Sequence, residues 1–517
     1  MSKFKLYIIL FVALTYSSCS EDFIDKQPID RVVSSNFYQT QAQAMEALVA
    51  TYDALGFQST PGVAWAPLTT VSDFLSDDAF DGCSDASDGL EADQLNRFRI
   101  PPQNTFLHAI WLKNYTGIYR ANLFLSVIDG IEDATPEFVT RSTAEVKFLR
   151  AYFYLELVRF FENIPLVTQV LNDPADFSIP QASPQETFDL IASDLVDAIN
   201  GLPDNIPATE TGRVSKWSAS ALLARAFLFS NDIYGTNMET ESLTVDRAQA
   251  LSFLEDLINS GNFALLENYG DIFRLASEFS AESVLEIPHG DNPNWFDWGY
   301  VRGGEGNLAA QMQGPRVTGS DLWNRGWSFA PVSQDLIDAF GNDPRLQETI
   351  TFEDEIDGNL VTGYQHTGYY SKKYSSDAEH WGDGGQFEHN RTCNYRVIRY
   401  SDVLLMAAER GSPNAQSYLD QVRTRAGLPS VPATQDNIFE ERRLELALEG
   451  IRYFDLVRKG NDVLSRELNE QGIRGPNYLG DQITFDVQFN EATNGFMPIP
   501  QTEIDLSAGV FVQNPGY

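Results

Sequence analysis

The segment Asn437–Gly460 (NIFEERRLELALEGIRYFDLVRKG) constrains this chain more than any other stretch. Its spacing predicts one long helix. Asn437 is placed to cap the N-terminus, with Glu440 completing a capping box, while Arg458 and Lys459 occupy the last turn before Gly460 as the C′ residue. Leu444, Leu448 and Ile451 fall on one face and Leu446, Phe454 and Val457 on another, so the helix needs packing partners on two sides. Glu449–Arg452 and Arg452–Asp455 are i,i+3 pairs, each worth only a few tenths of a kcal/mol where exposed. Gly450 in mid-helix costs about 1 kcal/mol relative to Ala, which points to a second backbone coming close there. The segment reads as a buried structural helix rather than as a set of catalytic carboxylates.

Helical periodicity recurs at Phe37–Leu55, Leu107–Ile128, Pro136–Phe161, Pro184–Ile199, Ser215–Ser230 and Val245–Ser260. Further on, Ser401 is expected to cap a helix over DVLLMAAER, and Pro413 to open another at N1 with Gly427 as its C′ residue. Helices of this length joined in pairs are the signature of a tetratricopeptide-like stack, although no strict 34-residue period can be aligned. Two stretches break the pattern. Gln58–Asn104 is rich in Pro, Gly, Asp and Ser and carries Trp65 with Asp73, Asp77, Asp78, Asp81, Asp85 and Asp88; residues 288–389 are Gly-, Asn- and aromatic-rich. Ser283–Ile287 reads as a strand. The expected fold is therefore mostly α, a tetratricopeptide-like helical-pair scaffold with a long irregular, loop-rich capping region and minor β. Its expected division is an N-terminal helical part at 36–280 and a C-terminal part at 281–517 that includes the irregular cap at 288–389.

The first residues belong to a different problem. Lys3 and Lys5 precede an apolar run from Leu6 to Leu14 that is too short to span a bilayer as a mature helix, and Ser17-Ser18-Cys19 follows. Residues 1–18 are expected to be a lipoprotein signal peptide and 19–35 a tether, with Cys19 the lipid-modified residue and several acyl chains giving stable anchorage. Cys83 and Cys393 then remain, either as one disulfide or as two buried thiols. A formal charge of −37 argues against nucleic acid or an anionic membrane surface as the ligand, and only weakly against a polyanionic substrate, since a local basic patch can override the global charge.

Five of the eight Trp lie between Trp295 and Trp381, away from the helical pattern, whereas Trp111 and Trp217 sit on helices and are expected in the core. Trp295, Trp298 and Tyr300 share one Gly/Asn-rich loop, Trp323 and Trp327 the next, and Trp381 a third; Trp65 belongs to the N-terminal irregular stretch. Flat aromatic surfaces flanked by carboxylates and amides suit a sugar, whose C–H faces stack and whose hydroxyls need hydrogen-bond partners. The candidate ligand residues are Trp65, Asp77, Asp78, Trp295, Trp298, Tyr300, Trp323, Trp327 and Trp381. No cofactor is expected. With 73 acidic residues, carboxylate pairs say nothing for a glycoside hydrolase. The five scattered His include no HExxH, and the Asp77–Gly89 stretch lacks the third-position acid and terminal Glu of an EF-hand, so no metal is assigned. A helical-repeat adaptor is the remaining alternative.

Several segments together carry a resemblance. Arg399–Glu409 (RYSDVLLMAAE), Gln421–Leu428 (QVRTRAGL), Glu441–Gly460, Pro498–Ile504 (PIPQTEI) and Gln513–Tyr517 (QNPGY) resemble the SusD/RagB family of Bacteroidetes outer-membrane lipoproteins. Ala144–Phe161 (AEVKFLRAYFYLELVRFF) and Gly212–Phe229 (GRVSKWSASALLARAFLF) are similar to the same family in the N-terminal half. Ser20-Glu21-Asp22 after Cys19 resembles the signal that sends such lipoproteins to the cell surface. The resemblance implies a non-enzymatic surface protein that binds glycan, or in a RagB-like alternative peptide, and sits as a lid on a SusC-like TonB-dependent transporter. It also implies that these motifs are structural or face the transporter, and that ligand contacts lie in the irregular regions.

Overall fold

The computed structural model describes residues 38–58, 66–173, 178–291, 306–323, 325–382, 388, 391–469, 473–476, 480 and 482–517. Cys19, Trp65, Trp295, Trp298 and Tyr300 lie outside them. Helices α1 (Gln41–Asp53), α2 (Leu68–Phe74), α3 (Leu90–Asn96), α4 (Thr105–Val127), α5 (Pro136–Phe161), α6 (Pro184–Gly201), α7 (Lys216–Tyr234) and α8 (Arg247–Asn259) build the N-terminal half. Local chemistry sets their ends. Asn104 Oδ1 accepts from Phe106 N and Leu107 N, Thr135 caps α5 with Pro136 in its first turn, and Ser183 and Glu186 form a reciprocal capping box on α6. Ser215 caps α7, which stops at Gly235 in the left-handed region at φ 68°.

Helix α5 is the pillar. Every side chain from Phe148 to Phe161 is buried, so the helix is covered all round, with α4 and α6 packed against it and α7 and α8 continuing the stack. Each fully buried Phe or Leu contributes on the order of 1.5–3 kcal/mol. Trp111 and Trp217 are 3% and 6% exposed, as expected of core residues. The irregular stretch Gln58–Asn104 is more ordered than its composition suggests, since it contains α2 and α3.

Strand β1 (Ser283–Ile287) pairs antiparallel with β2 (Tyr395–Arg399), and between them come the short helices α9 (Leu308–Gln313) and α10 (Gln334–Phe340) and small two-stranded ladders. From β2 the chain enters α11 (Tyr400–Glu409), which packs on α7 and α8 and joins the C-terminal half to the helical stack. Its N-cap is Arg399, so Ser401 lies inside the helix rather than capping it. Helix α12 (Ala415–Arg425) begins after Asn414, two residues later than Pro413 at N1 would place it. Among the described residues no helix is long and apolar enough to cross a membrane.

The long helix expected at Asn437–Gly460 is in fact two. Helix α13 (Gln435–Glu445) starts earlier, capped by Thr434 Oγ1, which accepts from Asn437 N, and it ends at Glu445. Leu448 (φ 59°) and Gly450 (φ 73°) then take left-handed conformations, and α14 (Arg452–Val457) leaves in a new direction. The close approach expected at Gly450 is present. A Cβ there would lie 2.9 Å from Thr69 Cα, on α2. Phe454 of α14 packs edge-on against Phe160 of α5, with ring centroids 5.2 Å apart, and carries the Arg159 guanidinium on its face at 4.0 Å.

Around the break lies a buried ion network that the i,i+3 reading does not contain. Arg399 reaches Glu282 at 2.7 Å, Glu445 at 2.9 Å and Glu449 at 2.8 Å; Lys373 holds Glu449 at 2.6 Å; Arg345 holds Glu441 at 2.7 Å and Glu445 at 2.9 Å; and Arg425 binds Glu282 and Glu445. Four cations thus face four carboxylates, all buried. Arg452 and Asp455 look away from each other: Arg452 pairs with Asp77 and Asp455 with Arg442 and Arg458. Burial alone would raise the Glu445 pKa, yet Arg425, Arg399 and Arg345 overwhelm it and hold the carboxyl well below the usual range. That contribution to stability is therefore present above the ordinary Glu pKa and is lost only as pH falls toward the depressed one. Arg399→Met leaves three buried carboxylates short of a cation, and we expect a loss of about 3–5 kcal/mol in equilibrium urea unfolding at pH 7.

Candidate functional site

The segments that carry tryptophan outside the core are fastened to one short helix. All six residues of α9 are buried, including Gln311 and Gln313. Buried amides need partners, and theirs come from the surrounding loops. Asn307, the N-cap, accepts from Ala309 N at 3.0 Å, donates from Nδ2 to Cys393 O at 2.9 Å, and its peptide N–H reaches Arg391 O at 2.6 Å. Gln58 Oε1 accepts from Leu308 N, and its Nε2 lies 3.3 Å from His289 Nε2. Ala66 N donates to Gln58 O at 2.8 Å, so the chain leaves and re-enters the Trp65 segment at one place. Gln311 Oε1 accepts from Arg391 Nε and Nη2 at 3.0 and 2.7 Å, its Nε2 donates to Arg325 O at 2.7 Å, and its carbonyl accepts from Trp327 N at 3.0 Å.

Around this helix the described tryptophans converge. Trp323 forms a β-bridge with Asp377, and Trp381 Nε1 donates to Ser376 O at 2.9 Å, so both flank Ser376-Asp377. Ser328, next to Trp327, donates from its N to Gly314 O, and Gly314 packs so closely on Ser376 that a Cβ there would fall 2.2 Å from Ser376 Oγ. All three tryptophans are partly buried, and Trp327 packs against the main core. Trp323 Nε1, Asp377 Oδ1 and His380 Nδ1 are buried without a hydrogen-bond partner among the described residues. Burial raises the Asp377 pKa and lowers that of His380.

Asp77 and Asp78, candidates for ligand contact from sequence, are placed elsewhere. They are 2% and 1% exposed, and their carboxylates are taken by Arg452 at 2.8 Å and by Arg443 at 2.8–3.0 Å. They tie the 68–96 region to α13 and α14, where a free carboxylate would be too costly to bury, and they do not face the indoles. Cys83 and Cys393 are two buried free thiols, each pushed up to about 12 by desolvation. Among the described residues no group of three or more His, Cys, Asp or Glu is arranged to hold a metal ion. Gln58, Asn307, Gln311 and Arg391 escaped the sequence reading because isolated amides in irregular stretches have no periodicity. Only the cap position of Asn307 before an apolar run hints at its role.

Two family models match the chain: "Starch-binding associating with outer membrane" over residues 23–228 and "SusD family" over residues 346–517. A solved structure described as a laminarin binding SusD-like protein is 32% identical, with a TM-score of 0.79, covering 93% of this chain and 100% of that one. The chain belongs to the SusD family. Surface glycan-binding protein A from Bacteroides thetaiotaomicron, solved in complex with laminarihexaose, is 29% identical with a TM-score of 0.79 over 92% of this chain and 99% of that one. SusD-like protein P2 of Formosa agariphila is 26% identical across 100% of both chains. Within this SusD-like fold, removing the Gln311 amide should loosen the loops without touching the helical stack. Gln311→Leu strips Arg391 and Arg325 O of a partner, and we expect a loss of about 1.5–3 kcal/mol in urea unfolding, together with a red shift of intrinsic tryptophan emission.

Proposed function

We propose that this protein binds a neutral glucan of the laminarin type at the cell surface, without cleaving it, and passes it to a SusC-like TonB-dependent transporter. The observation that carries the reading is the convergence of Trp323, Trp327 and Trp381 on Gly314 and Ser376. It is supported by relatives of 32% and 29% identity whose descriptions name laminarin and laminarihexaose. Indole faces seat the C–H faces of successive glucose rings, and a row of such contacts reads an extended chain. Trp65, Trp295, Trp298 and Tyr300 are proposed to extend the row. A net charge of −37 disfavours sulfated or uronate polymers. Anchorage through acylated Cys19 would keep the protein at the outer membrane, next to its transporter.

A few stacking contacts at ~2 kcal/mol each, set against the cost of association, give affinities in the micromolar to millimolar range, suited to a protein that must release its cargo. Titration calorimetry with laminarihexaose is expected to show such binding, at least tenfold weaker in Trp323→Ala and Trp381→Ala, and none with a sulfated polysaccharide. The sugar should be recovered intact by chromatography. Unchanged affinity in both variants would overturn the site assignment.

A further inference from the structure

Behind Trp327 the backbone is tied into a strained three-ply ladder. The middle ply, Ala79–Cys83, bridges Phe329 and Val332 on one side: Phe80 N donates to Pro331 O at 2.9 Å, Cys83 N to Ser328 O at 2.8 Å, and Ala330 N to Asp81 O at 3.2 Å. On the other side Tyr364 N donates to Cys83 O at 3.0 Å and Gly82 N to Gln365 Oε1 at 3.3 Å. Five non-glycine residues here have positive φ: Cys83 (71°), Arg325 (48°), Ser328 (60°), Ala330 (50°) and Gln365 (50°). The plies are in close backbone contact. A Cβ at Gly82 would fall 2.3 Å from Ser328 O, and one at Gly363 2.1 Å from Cys83 O. Each left-handed non-glycine residue is strained and persists only where its surroundings hold it.

At the centre sits Asp81, 1% exposed, whose carboxylate is paired with no cation among the described residues and has the Gln365 side chain of the third ply as its hydrogen-bonding neighbour. The charged and titratable groups near Asp81 are Asp93 and Arg97, which pair with each other at 2.6 Å, the Cys83 thiol on its own ply, and on the third ply Tyr364, whose hydroxyl accepts from Arg97 Nη2 at 2.9 Å; residues 328–332 contribute none. An ionised carboxylate buried beside an amide with no cation of its own is costly, whereas the acid form is tolerated.

We propose that Asp81 is a positioning residue under protonation control: as the neutral acid it lets the ladder close and hold Trp327, and as the carboxylate it opens the ladder and weakens ligand binding. The inference rests on the glycan-binding reading for its functional consequence and on the ladder for its physics. Desolvation, with Asp93 adding to it, pushes the Asp81 pKa up to about 8, and Arg97 offsets only part of this. An unfolded Asp loses its proton near 4, so between about 4 and 8 the folded state carries the extra proton, and stability falls as pH rises until it levels off above 8.

The test is laminarihexaose titration of the full chain from pH 6 to pH 9.5, with Asp81→Asn and Asp93→Asn alongside. Wild type is expected to bind at least fivefold more weakly at pH 9.5 than at pH 6, with a midpoint near 8. Asp81→Asn should bind at pH 9.5 as wild type does at pH 6, and Asp93→Asn, with one repelling carboxylate gone, should move the midpoint lower. Parallel loss in wild type and Asp81→Asn, or no loss in wild type, overturns the proposal. Thermal unfolding of ligand-free protein over the same range separates the two readings. If no variant binds laminarihexaose the glycan reading fails, while a melting temperature that falls with pH in wild type and stays flat in Asp81→Asn upholds the latch, and equal slopes reject it. Should Asp81→Asn fail to fold, the direction of the Asp93→Asn shift decides alone.

Discussion

The buried contact between Arg399 and the carboxylates of Glu282, Glu445 and Glu449 is the constraint on which the rest of the structure depends. Ion pairs taken out of water return little net stability, because desolvation consumes most of the Coulombic gain, but they allow only a narrow set of geometries. Glu445 and Glu449 are four residues apart and would share a face of a continuous helix. To meet Arg399, Arg345, Arg425 and Lys373 together the chain must instead turn between them, and Leu448 and Gly450 supply the left-handed conformations that allow it. The turn brings Gly450 onto Thr69 of α2. From the same helix, Asp73 accepts from Gln313 of α9 at 3.2 Å. A short mechanical path therefore leads from the ion network to the helix that holds the tryptophan segments.

The two halves of that path are built from different materials. The helical stack is held by apolar burial, with the Phe148–Phe161 part of α5 covered on all sides, and tolerates long helices because all but the terminal backbone groups are satisfied within them. The loops around α9 have no such internal solution, so their polar groups are satisfied by amide side chains that belong to other segments. Gln58, Asn307 and Gln311 each bond at least two separate stretches. An aromatic face on such loops is fixed without being made of regular structure, leaving its outline free to vary with the ligand.

Helical periodicity locates α5 and α6 because an apolar stripe is a property of the segment itself, whereas exact cap positions are less legible: Asn437, Ser401 and Pro413 do not hold the cap or N1 places expected of them. The two core tryptophans follow from helical periodicity, and the strand at Ser283–Ile287 from its β-branched, apolar run. The reading failed where the partner is distant. Arg443 and Asp78 are 365 residues apart and Arg452 and Asp77 are 375, and no spacing rule reports such a pair. Asp77 and Asp78 therefore looked like ligand carboxylates beside Trp65 when they are structural counter-ions. The break at Glu445–Arg452 escaped the reading for the same reason, since the helical spacing continues through it while Glu445 and Glu449 bond Arg399 and Arg345, far away in sequence.

The same ion pairs sharpen what the charge of the chain implies. Arg345, Arg399, Arg425, Arg442, Arg443, Arg452, Arg458 and Lys373 are all buried or nearly so and matched to carboxylates. Each match cancels inside the protein, so these eight of the 36 cationic side chains offer nothing to a ligand. The excess of 37 acidic groups is consequently carried by the remaining, more exposed residues, and the field outside the molecule is more uniformly negative than the composition alone suggests. A polyanionic glycan would meet that field before it reached any indole, whereas a neutral one is indifferent to it and is sorted only by the shape of the aromatic face. On the proposed reading, exclusion of charged polymers would be a property of the whole scaffold, and selection among neutral ones a property of the loops around α9.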